Sequence, residues 1–163
     1  MGIVTWVVVG LALPAVAAIG AGRLGALRGK PPADLGVRDG RLKPPSNTDN
    51  SVTSQAGLYP DHPQRDCAQI APLALRGDGA QTIATLKDLV EAMPGAQVGK
   101  SEPDYLCAQF TTRLMKYVDD VEFWFDPAAQ AVQVRSASRI GKTDLGLNRQ
   151  RVEAVRAALA AVP

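Results

Sequence analysis

Polar and apolar positions along this chain follow two rhythms, of period two and of period near 3.6, and one stretch has no charged position at all. Ile3 to Gly22 (IVTWVVVGLALPAVAAIGAG) holds no charge over twenty residues. As a helix it reaches about 30 Å, the depth of a bilayer's hydrocarbon core, and Pro14 and the glycines are compatible with such a helix. The pattern predicts an N-terminal apolar helix within a membrane anchor or signal segment at 1–29. An uncleaved anchor fits the length. A cleaved signal is the alternative: Ala15 to Ala17 offers a cleavage site, but no basic residue precedes the apolar run. Arg23, Arg28 and Lys30 follow at once and favour a cytoplasmic location for what comes next.

From 30 to 64 neither rhythm persists. The stretch is rich in Pro, Gly, Asp and Asn and reads as an extended linker. Asp39-Gly40 marks a turn. Asn47 to Ser54 (NTDNSVTS) is dense in side chains that bond to backbone, which makes an ordered turn laid against the domain an alternative to a free tether.

The compact domain is expected at 65–163. Ile83, Leu86, Leu89, Val90 and Met93 form a helical stripe over Ala80 to Met93, with Asp78 as the cap and Pro94-Gly95 as the stop. Ala96 to Lys100 is a short strand. Alternation continues from Tyr105 to Met115, then over Val118 to Phe125 and Ala131 to Ile140. A last helix, from about Arg149 to Ala161, turns Val152, Val155, Leu159 and Val162 inward, with Asn148 as its expected cap. Helix, four strands, helix is an α+β order: a mainly antiparallel sheet with helices packed on one face.

The hairpin at 118–140 concentrates the polar chemistry. Val121, Phe123 and Phe125 face the core, so Asp120, Glu122 and Trp124 point away. On the second strand Val132, Val134 and Ile140 face in, and Gln133, Arg135 and Arg139 face out. A four-residue loop is expected to pair Asp120 with Arg135, a six-residue loop to pair Glu122 with Arg135. Either way an acid opposes an arginine, holding register and keeping that face soluble. Asp119, Ser136 and Ser138 share the inward parity, so the core side turns polar at one end. Buried polar groups require partners, and the following segment offers Asp144, Asn148, Arg149 and Arg151. They make either an internal network or a pocket for an anionic or polar ligand, aided by the N–H groups at the start of the last helix.

Composition narrows the function classes. The net charge is +2 and scattered, which argues against a nucleic-acid partner. His62 is the one histidine, and Cys67 and Cys107 lie forty residues apart without metal-ligand spacing. No cofactor motif is present. The two cysteines read either as a disulfide of an exported protein or as thiols of a cytoplasmic one.

Four pieces, LGVRDGRLKPPSNTDNSVTSQA at 35–56, APL at 71–73, YLCAQFTTRLMKYVDDVEFWFD at 105–126 and VRSASRIGKTDLGLNRQRVEAVR at 134–156, resemble the bacterial and chloroplast family called domain of unknown function 1499. Where that family reads PNCVSSQ this chain has DNSVTSQ, without the cysteine, and Cys107 stands where the family often has histidine. The resemblance implies an exported or membrane-held domain, opposite to the charge bias, and no established activity.

The leading functional expectation is a membrane-tethered binding or assembly module. The membrane would be met through the N-terminal segment, and a protein or small anionic ligand through Arg135, Arg139, Arg149 and Arg151. One alternative is an enzyme built on Asp119, Asp120 and Glu122, with a hard cation or a raised carboxyl. Another is a structural subunit of a membrane complex.

Overall fold

The computed structural model describes residues 16–162. Five strands, β1 (Ser51–Thr53), β2 (Ala96–Ser101), β3 (Tyr105–Thr111), β4 (Val118–Asp126) and β5 (Ala131–Ser138), form one sheet in the order β1–β5–β4–β3–β2. Every neighbouring pair is antiparallel. A helical turn, α1 (Arg65–Ala68), precedes the long helices α2 (Gly79–Glu91) and α3 (Leu147–Ala160). Ile83, Leu86 and Val90 of α2 and Val152, Val155 and Leu159 of α3 close over Val121, Phe123, Val132 and Val134. Both long helices therefore cover one face of the sheet, as their stripes require. Asp78 and Gln81 make a reciprocal capping box at the start of α2.

The fifth strand comes from the segment expected as linker. Thr53 sits opposite Arg135, and Ser51 opposite Ala137. Upstream of β1, residues 34–46 lie over the face of the sheet opposite the helices, where Leu42 is buried with Tyr105 and Trp124. The boundary at 64–65 thus divides a single fold. The segment lacks periodicity because irregular backbone, rather than a helix or long strand, forms this second layer. Its hydrogen bonds come from side chains: Gln55 Oε1 accepts the Leu42 N–H at 2.7 Å. The face expected to keep the hairpin soluble is consequently buried, with Asp120, Glu122, Gln133 and Arg135 all inside.

Smaller differences have local causes. Asp126 and Ala131 stay in the ladder, so the loop is the four-residue turn Pro127–Gln130, yet it sets Glu122 opposite Arg135. The side-chain pattern expects that register with a six-residue loop; pairing the two end residues shortens the loop without sliding the strands. Alternation past Thr111 does not extend β3. The Thr112 hydroxyl accepts the Tyr117 N–H, Lys116 takes φ 60°, and Leu114 is left on an exposed turn. Asn148 does not cap α3, because the Asp144 carboxylate already accepts the N–H groups of Gly146 and Asn148, at 2.9 and 2.7 Å. Asn148 lies in the first turn instead, fully buried.

Most of the expected N-terminal apolar helix, residues 3–15, lies outside the described residues. The part described is helical at 16–23. Among the described residues no helix is long and apolar enough to cross a membrane, so a span has no support here.

Candidate functional site

Strand parity sends Asp119 to the helix side of β4 and Asp120 and Glu122 to the other side, so the eleven predicted residues fall into two clusters and two struts. On the helix side, Arg151 on α3 donates to Asp119 Oδ2 at 2.6 Å, to Asn148 Oδ1 at 2.8 Å and to Ser136 Oγ at 3.2 Å. Its guanidinium also lies 4.7 Å from the Phe110 ring centroid, a cation–π contact. The Ser136 hydroxyl donates to Asn148 Oδ1. The Asn148 amide donates to the Asn50 carbonyl at 3.1 Å and to Ser138 Oγ at 3.0 Å. This cluster ties α3 and the approach to β1 onto β4 and β5. Its one orphan is the neutral Asn50 Oδ1.

Arg149 and Asp144 do other work. Arg149 donates to the carbonyls of Cys67 and Gln69 at 2.8 and 2.9 Å, strapping α1 to α3, and Asp144 caps α3. The four arginines expected to act together are therefore separated: two on the outer face, one inside, one a strap.

The outer cluster is arranged differently. Arg139 grips Asp120 with two bonds, Nε to Oδ2 at 2.8 Å and Nη2 to Oδ1 at 2.7 Å; that bidentate bond raises the Arg139 pKa above its ordinary value. Glu122 Oε1 accepts the Gly36 N–H at 2.7 Å and the Tyr105 hydroxyl at 2.8 Å. Its other oxygen, fully buried, has no hydrogen-bond partner and lies 3.8 Å from Arg135 Nη1. Arg135 donates one bond, from Nε to the Pro44 carbonyl at 3.1 Å. Burial, the largest influence on it, lowers its pKa against the opposing pull of Glu122. Tyr105 and Cys107 flank Glu122. Burial first, and then the carboxylate's charge, raise both, Cys107 to about 11.

A cavity of about 420 Å³ opens on this side, lined by Lys43, Ser46, Asn47, His62, Arg135 and Arg139 among others. Asp120, its one acidic wall, is already held by Arg139. Lys43 bonds Asp34 at 2.6 Å on a partly exposed flank. A larger cavity, about 740 Å³, lies on the other side between Phe110, Met93 and Leu147, but its buried arginine, Arg151, is already held by Asp119, Asn148 and Ser136.

A family model described as protein of unknown function (DUF1499) matches residues 41–159. The chain belongs to that DUF1499 family. No curated protein and no solved structure matches it. The DUF1499 match begins one residue before Leu42 and ends in α3, so it takes in the covering segment from Arg41, both polar clusters and every cavity residue named above. The sequence had singled out the strand arginines and acids but missed Lys43, Ser46 and Asn47, and placed His62 in a linker. The conspicuous signal for them was KPPSNTDN at 43–50, a stiff and bonding-rich run within the pieces that resemble DUF1499. Asp119 and Asp120 point to opposite faces of the sheet, and among the described residues no three His, Cys, Asp or Glu side chains are grouped to hold a metal ion. Cys67 and Cys107 are both free thiols, one exposed and one half-buried.

Proposed function

We propose that this DUF1499 protein is a membrane-tethered binding module whose outer-face cavity takes a small anion, a carboxylate or a phosphate. The observation that carries this is Arg135. It is 4% exposed, gives one hydrogen bond from its five N–H donors, and lines a cavity shared with Lys43 and Arg139. A planar guanidinium with unused donors matches the two oxygens of a carboxylate or phosphate. Ser46 and Asn47 add neutral polar residues on the same wall. The tether rests on the uncharged run Ile3 to Gly22.

The acid-dependent enzyme has less to stand on. Asp119 and Asp120 are each bonded to an arginine, and Glu122 is the one of the three acids with a fully buried oxygen that has no partner. Titration of inorganic phosphate and of citrate into the protein, followed by amide chemical shifts, tests the binding reading. Saturable shifts confined to Lys43, Asn47 and Arg135 are expected. The paired variant E122Q/R135Q removes both charges without stranding either, and should fold but lose the shifts. Absence of saturation with both anions, or equal shifts in the paired variant, rejects the proposal.

A further inference from the structure

Six large hydrophobic residues are exposed among the described residues, and four of them gather at one end of the domain. Leu114 is on the turn after β3, Leu145 is on the loop leading into α3, and Leu147 is the first residue of α3. Both loops line one cavity, with Thr112 and Tyr117 on one side and Gly141 to Leu147 on the other. Leu24 is the fourth. A Cβ on Gly22 would overlap the Met115 carbonyl, and one on Gly29 would overlap Arg139 and Ile140, so residues 22–29 run along this same end.

Leu145 is the most telling of the four. It is 87% exposed and sits at φ 55°, a region where an L-residue is uncommon and where Gly, Asn or Asp is at ease. The turn is nonetheless firmly built: the Thr143 hydroxyl accepts the Leu145 N–H at 3.2 Å, and Asp144 caps α3 beside it. A rigid turn that holds a leucine out into water, in a conformation leucine disfavours, suggests that the side chain is used there. Basic residues surround the leucines. Arg113 and Lys142 are exposed, Lys116 is half-buried at a second positive φ of 60°, and Arg23 and Arg28 are exposed on the segment alongside. The neighbouring acids are Asp144, engaged at the cap, Asp119, paired with Arg151, and Asp49, whose backbone bridges Thr143.

Exposed leucine tips within a basic rim complement the interface of an anionic bilayer, where apolar side chains enter among the headgroups and cations meet the surface charge. We infer that this end of the domain docks on a bilayer carrying anionic headgroups, with Leu114 and Leu145 inserted and Arg113, Lys116 and Lys142 against the phosphates. The chain agrees: the uncharged run Ile3 to Gly22 ends at the residue that packs against Met115. The inference is independent of the anion cavity, which is lined by other residues.

Hydrogen–deuterium exchange on the full chain tests it, with vesicles of phosphatidylcholine alone or mixed with phosphatidylglycerol. In the mixed vesicles the amides of 113–116 and 142–147 should exchange roughly tenfold more slowly than in phosphatidylcholine alone. Leu145→Asp, which suits the positive φ and so preserves the fold, should remove that slowing, with α2 and β5 protected as before. Equal exchange in the two lipids overturns the inference. So does slowing that depends on protein concentration without lipid, which would assign the face to a second copy of the chain.

Discussion

On the helix side of β4, Arg151 reaches Asp119 at 2.6 Å and bonds to Asn148 and Ser136 as well; on the other side, Arg135 and Glu122 stop 3.8 Å apart. Both pairs are buried, and both are an acid of β4 facing an arginine from another element. The helix side is closed by α3, a regular element that brings its own donors into register. The outer side is closed by irregular chain, which satisfies backbone at Gly36 and Pro44 but leaves a carboxylate oxygen unbonded. Arg151 spends three of its five N–H donors on its cluster and meets its acid directly, as a structural pair does. A buried pair held apart beside a cavity keeps unused capacity at the cost of stability.

The largest effect should follow from breaking the helix-side pair. Asp119→Ala leaves Arg151 buried without a counter-charge, and such uncompensated charges cost about 3–5 kcal/mol. That is a large share of the total stability of a domain, which is about 5–15 kcal/mol. Urea denaturation should show this loss, and adding Arg151→Met should restore much of it. A loss near zero would mean that the network does not hold α3 down.

Leu42→Ala asks whether the outer layer belongs to the fold at all. Leu42 is buried against Tyr105 and Trp124, and a leucine truncated at such a site costs about 2–5 kcal/mol. A tether loosely laid on the sheet would give almost no change in the urea midpoint.

That distinction marks how far the sequence is legible. The hairpin, the two long helices and the inward polar set of Asp119, Ser136 and Ser138 follow from side-chain period alone, because a strand or helix is repetitive and burial repeats with it. The outer layer obeys no period. Its contacts are single events, Gly36 to Glu122 and Pro44 to Arg135, each joining residues more than 80 positions apart. Sequence reading therefore put charges on the correct face of β4 but took that face as solvated, because the cover was invisible to it. It also grouped four arginines by type, which topology then dispersed: Arg149 lies on the helix side holding Cys67 and Gln69, far in role from Arg139.

Glu122→Gln sharpens the comparison with a smaller expected effect. The amide can still accept from Gly36 and Tyr105, so the stability loss should be about 1–2 kcal/mol, below that of Asp119→Ala. Losing the neighbouring negative charge should also tighten phosphate binding at Arg135, by roughly tenfold in a titration. Unchanged affinity would remove Arg135 from the anion's path, whatever happened to stability.

The smallest effect is a pH dependence carried by the neighbours of Glu122. In the folded chain the Cys107 thiol is pushed up to about 11 from an ordinary value of 9.0, and Tyr105 is raised from 10.0. Both are neutral when protonated, so the folded state keeps protons that the unfolded state gives up. The Cys107 contribution is complete below pH 9.0 and is lost as pH rises through the window from there to about 11, and that of Tyr105 begins to be lost only above pH 10.0. Thermal melts should be level up to that window and then decline. Cys107→Ala should delay the onset towards pH 10.0, where Tyr105 takes over. At mildly alkaline pH a thiol reagent should modify the exposed Cys67 quickly and Cys107 slowly. Two equally fast thiols and a flat alkaline profile would mean that water reaches Glu122. The outer layer would then be an open flap, and the contrast between the two faces would be one of solvation, not of unused bonding capacity.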